Sequence, residues 1–79
     1  MKVEEFKKYE SVIKYLYDEI SYSYDKEDIL EDIKHDYLTL NIGRDNETYI
    51  WYMDENKSIA INVKNKKILT NAEVESILL

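Results

Sequence analysis

YLTLNIGRDNETYIWYMDENKSIAINVKNKKIL, residues 37–69, is the stretch that decides the fold. From residue 37 the apolar side chains alternate. Leu38, Leu40 and Ile42 share one side of an extended strand, and Tyr37, Thr39 and Asn41 share the other, because successive side chains in a strand point to opposite faces. Gly43, the sole glycine, followed by Arg44, Asp45 and Asn46, marks a turn. Glycine tolerates positive φ there, and Asp or Asn can hydrogen-bond the turn backbone. Residues 47–53 are dense in Thr, Tyr, Ile and Trp, which suit a pleated, half-buried surface. Residues 54–57 (DENK) make a second turn before residues 58–64, where Ile59, Ile61 and Val63 alternate. Asn65 and Lys66 predict a two-residue third turn into a short strand at 67–69, with Val63 opposite Ile68. The expectation is an antiparallel meander of three to four strands.

Working outward, residues 3–20 carry Val3, Phe6, Tyr9, Ile13, Leu16, Tyr17 and Ile20 at three- and four-residue steps, which predicts one amphipathic helix. A second helix is expected over 25–35, with Ser23 or Asp25 as its N-cap and Ile29, Leu30 and Ile33 as its apolar stripe. After the strands, Thr70-Asn71-Ala72-Glu73 has the form of a capping box, opening a short helix in which Val74, Ile77 and Leu78 face inward. The order is ααββββα, an α+β fold, and two layers are expected, with the helices packed on one face of the sheet.

Seventy-nine residues support one core, so residues 1–79 form a single domain. With no cysteine, neither disulfides nor thiolate metal sites are available. No apolar run approaches the roughly 18 residues of a membrane span, and MKVEEFKKYE has charges where a leader needs apolar residues; the expected compartment is the cytoplasm. Phe, Tyr, Met, Ile, Asn and Lys total 37 residues against four for Gly, Ala, Arg and Pro, the usage of an AT-rich genome and a common one on phages and mobile elements.

Charge placement is the strongest functional signal. Residues 18–36 hold eight acids (Asp18, Glu19, Asp25, Glu27, Asp28, Glu31, Asp32, Asp36) and two lysines, so this stretch alone carries the whole chain's net charge of −6. If the second helix buries Ile29, Leu30 and Ile33, then Asp25, Asp28, Glu31 and Asp32 crowd its outer side. Like charges at helical spacing repel mildly. The bland interpretation is a solubilising face. The sharper one is a carboxylate array, completed by Asp36, that binds a basic surface on a partner protein, for instance by occupying the positions of phosphates at a nucleic-acid site.

Aromatic residues give a second signal. A two- or four-residue loop at 54–57 sends Tyr52 and Ile50 to the core and Tyr49, Trp51 and Met53 to the open sheet face, where Tyr and Trp would serve as interface anchors. A three-residue loop would reverse these directions, and the first or last helix could instead cover that face. The same aromatic face could instead build a homodimer, which is the alternative function. Tyr22 and Tyr24, between the first two helices, are further contact candidates.

Catalysis and cofactors are not expected. The lone His35 sits at a helix end, where an imidazolium suits the helix dipole. There is no cysteine nucleophile, no serine in a G-x-S-x-G turn and no glycine-rich phosphate loop. Asp45-Asn46-Glu47 lacks the glycine of a calcium loop, so no metal site is expected. Direct nucleic-acid binding is opposed by the net charge, and Lys64, Lys66 and Lys67 form the only local basic cluster.

Overall fold

A computed structural model describes residues 1–20 and 25–79. Its elements are α1 (Val3–Lys8), α2 (Glu10–Ile20), α3 (Lys26–Lys34), β1 (Leu38–Ile42), β2 (Thr48–Met53), β3 (Ser58–Asn62) and α4 (Asn71–Ile77). The single helix expected over 3–20 is divided at Tyr9, whose φ of −112° and ψ of 22° leave the helical region. Backbone bonds still run through the break, from the Tyr9 N–H to Glu5 O and from the Ile13 N–H to Tyr9 O. Phe6 of α1 therefore joins Val12, Ile13, Leu16 and Tyr17 of α2 in one core.

The three strands form an antiparallel sheet in the order β1-β2-β3. Thr39 lies opposite Trp51 in the first pair, and Trp51 opposite Ala60 in the second. Met53 faces Ser58, so residues 54–57 form the expected four-residue loop. The Asp54 carboxylate organises that loop by accepting the N–H groups of Asn56 and Lys57 at 2.7 and 2.8 Å. At the β1–β2 turn the positive φ falls on Asn46 (66°), not on the glycine. Gly43 is required by crowding instead: a Cβ there would stand 2.6 Å from Ile77 Cγ2 and 2.9 Å from Tyr49 Cε1.

The sheet has three strands because the third turn differs from the expected one. The Asn62 carboxamide accepts the N–H groups of Lys64 and Asn65, and Lys66 takes a positive φ of 61°. This longer loop places Ile68 opposite Ile61 in an isolated bridge, not opposite Val63. The slip is two residues, so Ile68 keeps its face while the fourth strand is reduced to backbone bonds from Asn62 N–H to Lys67 O and from Leu69 N–H to Ala60 O.

The helices are not all on one side, which corrects the two-layer expectation. Leu38, Ile50, Tyr52 and Ile61 pack against Phe6, Val12, Ile13, Leu16, Tyr17, Ile29 and Ile33 in the main core. The opposite side chains, Tyr49 and Ala60, pack with Leu69 and Val74 in a second cluster. In an alternating strand these sets point to opposite faces, so α4 covers part of the face that α1–α3 leave open. Thr70 caps α4 by accepting the Glu73 N–H at 3.2 Å, and the Glu73 carboxylate accepts the Thr70 N–H at 3.0 Å, completing the capping box.

Candidate acidic docking face

α3 begins where Asp25, in extended backbone, accepts the Asp28 N–H at 2.9 Å, while the Asp28 carboxylate accepts the Asp25 N–H at 3.3 Å. Ser23 lies outside the described residues. Both carboxylates sit at the positive end of the helix dipole, which favours them there. One turn on, Glu31 meets His35 Nε2 at 3.2 Å, and His35 closes the helix as its C-cap. Asp32 accepts the Tyr17 hydroxyl of α2 at 2.6 Å. Asp36 follows the helix with a positive φ of 60° and is exposed.

At 3.6 residues per turn, Asp25, Asp28, Glu31 and Asp32 occupy a sector of about 120° around the helix, beside the buried Ile29 and Ile33. Asp25, Asp28 and Glu31 are exposed, and Asp32 is half-buried. The two capping carboxylates and Asp32 are held by neutral donors, backbone N–H or a phenol. A hydrogen bond from a neutral donor fixes a carboxylate without cancelling its charge. Among the described residues no lysine pairs with this sector: the ion pairs are Lys14–Glu10, His35–Glu31 and Lys67–Glu73. Lys26 lies over the Phe6 ring at 5.9 Å, and Lys34 lines a groove with Val3, Leu30, Glu27 and Glu31 without forming an ion pair to either acid. Residues 25–36 therefore keep a formal charge of −4, from six acids and two lysines.

The aromatic candidates divide. Tyr49 does point to the face opposite the main core, but it is 3% exposed beneath Leu69 and Val74, so it is a core residue and not a contact residue. Trp51 is half-buried against the same cluster, and its indole N–H donates to Ser58 Oγ at 2.8 Å. Of the described strand residues pointing to that face, only Met53 is a large exposed apolar side chain, at 51%. Tyr22 and Tyr24 lie outside the described residues.

Sequence reasoning missed the tyrosine–carboxylate pairs. Besides Tyr17–Asp32, the Tyr52 hydroxyl donates to Asp54 at 2.6 Å and the Tyr49 hydroxyl donates to Asp45. The two short-range pairs have a local signal, an acid two or four residues away at a strand end. Tyr17–Asp32 has none. Burial and the carboxylate partner push the phenols of Tyr17, Tyr52 and Tyr49 above the usual tyrosine range. Asp54 and Asp45 are correspondingly lowered, each first by its tyrosine hydrogen bond. Tyr17, Tyr52 and Tyr37 continue as edge-on rings, with centroids 5.8 and 6.3 Å apart, and His35 stands 5.6 Å from Tyr37.

No group of three or more His, Asp or Glu among the described residues is placed to hold a metal ion. No helix among them is long and apolar enough to cross a membrane. No family model matches the chain, and no curated protein or solved structure matches it either.

Proposed function

We propose that this protein is a small interaction module, an inhibitor or adaptor, that docks the carboxylates of α3 onto a basic surface of a partner protein. The observation that carries this reading is the manner in which those carboxylates are held. Asp25, Asp28 and Asp32 are fixed by neutral donors and left unneutralised by lysine. A charged face whose side chains are already ordered forfeits less conformational entropy on binding, and its sign steers a cationic partner toward it. A nucleic-acid-binding surface is one basic surface that such an array would fit.

The test replaces Asp25, Asp28 and Asp32 by Asn and Glu31 by Gln together. The amides keep an acceptor for the capping and Tyr17 bonds while removing four charges, so the fold should survive with an unchanged circular dichroism spectrum. Proteins of the native host retained by the immobilised wild type at low salt should be lost with this variant and lost from the wild type at about 1 M salt, where the screening length is about 3 Å. Retention of the same proteins by the variant would refute the docking role of α3.

A further inference from the structure

We propose that two copies of the chain associate through the outer edge of β1, paired antiparallel about Asn41. The hydrogen-bond parity of the sheet identifies the edge. The Met53 N–H donates to Tyr37 O and the Gly43 N–H to Glu47 O, so the odd-numbered residues of this strand bond to β2. The backbone groups of Leu38, Leu40 and Ile42 consequently point away from the sheet. The Leu38 carbonyl is taken by the Met1 amino group at 3.3 Å. Among the described residues, nothing bonds the N–H or C=O of Leu40 and Ile42.

The two edges of the sheet are treated differently. Beyond β3, residues 67–69 supply two backbone bonds, and Lys64, Lys66 and Lys67 charge the turn. Such charges and covering segments discourage strand addition. β1 reads LTLNI, with no charge and no proline. Its last residue, Ile42, is 75% exposed, the highest value among the exposed large apolar side chains.

The free groups set the register. With Leu38 capped, the uncovered edge runs from Leu40 to Ile42, and an antiparallel copy satisfies it when Leu40 faces Ile42 of the second copy. That arrangement makes four backbone hydrogen bonds, with Asn41 opposite its own equivalent on the twofold axis. A twofold contact duplicates whatever it creates.

The surroundings of the edge fit a second copy. The Met1–Leu38 bond anchors the start of α1 at this edge, where Val3, itself 49% exposed, and Leu30 line an apolar groove of about 320 Å3 with Glu27, Glu31 and Lys34. In the antiparallel register, Ile42 of each copy approaches the groove end of the other, and Arg44 follows it toward Glu27 and Glu31. Arg44 forms no ion pair among the described residues. Each chain thus offers an apolar side chain and a cation where the other offers an apolar groove whose two carboxylates outnumber its one lysine. The contact shares Glu31 with the docking sector but not Asp25, Asp28 or Asp32, and Asn41→Cys and Ile42→Lys leave all four carboxylates in place, so failure of the dimer is distinguishable from failure of the docking role of α3.

The chain has no cysteine, which permits a clean test by cross-linking. Facing residues of a non-hydrogen-bonded antiparallel pair have Cα atoms about 4.5 Å apart, within the range of about 4.4–6.8 Å that a disulfide spans. Asn41→Cys should oxidise to a covalent dimer at least about tenfold faster than Met53→Cys, although Met53 on β2 is the more exposed site. Light scattering should show wild type passing from monomer to dimer with rising concentration. Ile42→Lys should weaken that association at least about tenfold without altering the circular dichroism spectrum. A wild type that stays monomeric at millimolar concentration, equal cross-linking at both cysteines, or an undiminished Ile42→Lys dimer would overturn the proposal.

Discussion

Tyr17 shows how one residue links packing to charge. Its ring is 4% exposed and meets Tyr52 edge-on, while its hydroxyl anchors Asp32 at the surface of α3. Tyr17→Phe keeps the packing and removes the bond, at a cost of about 1 kcal/mol, which for a domain of this size lowers the melting temperature by about 4–8 °C. The pH dependence has two limbs with opposite signs. Raised phenol pKa values at Tyr17, Tyr52 and Tyr49 stabilise the fold below the ordinary tyrosine value of 10.0, and that stabilisation is lost as pH rises beyond it, because the unfolded chain ionises first. Lowered carboxylates at Asp54, Asp45, Glu73 and Glu10 stabilise it above their ordinary values of 3.8 and 4.5, and that contribution disappears as the pH falls through their folded values. Thermal unfolding followed across pH should show both limbs, with the alkaline one shallower in a Tyr17→Phe/Tyr52→Phe double variant. An alkaline limb unchanged in that variant would disprove the assignment.

At the scale of elements, what was legible in the sequence depended on how local its cause was. Strand alternation at 38–42 and 58–62, the Asp25 and Thr70 caps and the 54–57 loop each follow from residues a few positions apart. The break at Tyr9 does not, since Val3, Phe6 and Tyr9 continue the apolar spacing of α2 without interruption. The third turn departs from the expected one because the Asn62 side chain, inside the strand, governs the loop, whereas Asn65-Lys66 has the local form of a two-residue turn. Tyr49 lies on the expected face but is not open, because its cover arrives from Leu69 and Val74, twenty or more residues later, and strand alternation alone does not show which helix will lie there. α4 therefore does more than terminate the chain: it shields Tyr49 and half-shields Trp51. Thr70→Ala should cost about 1 kcal/mol and loosen this cover, shifting Trp51 fluorescence to longer wavelength at temperatures where wild type is unchanged, while Thr70→Ser should behave as wild type. Identical Trp51 emission in Thr70→Ala and wild type throughout the melt would contradict the shielding role.

On the scale of the whole molecule, the chain's charge is unevenly spent. The net −6 is formally carried by residues 18–36, and within the described part of that stretch the fold holds three carboxylates with neutral donors instead of lysines. The sequence located this acidic tract, because charge can be counted along a chain. It could not say whether the side chains would be folded back onto the protein's own cations, because that depends on where Lys26 and Lys34 point: Lys26 lies over the Phe6 ring of α1, and Lys34 forms no ion pair among the described residues. Elsewhere Glu10 and Glu73 are paired with Lys14 and Lys67, and Asp45 and Asp54 are held by tyrosine hydroxyls, but no other described stretch gathers as many carboxylates as residues 25–36. A polycation should thus discriminate between one part of the surface and the rest.

Backbone amide shifts recorded by NMR during titration with a ten-residue lysine peptide measure that discrimination directly. The expected result is a set of saturable shifts concentrated in residues 25–36, absent from the Asp25→Asn/Asp28→Asn/Glu31→Gln/Asp32→Asn variant and abolished at about 1 M salt. Shifts of equal size around Glu10, Glu47, Glu55 and Glu75, or shifts that persist in the four-amide variant, would show that α3 is not a distinct docking face.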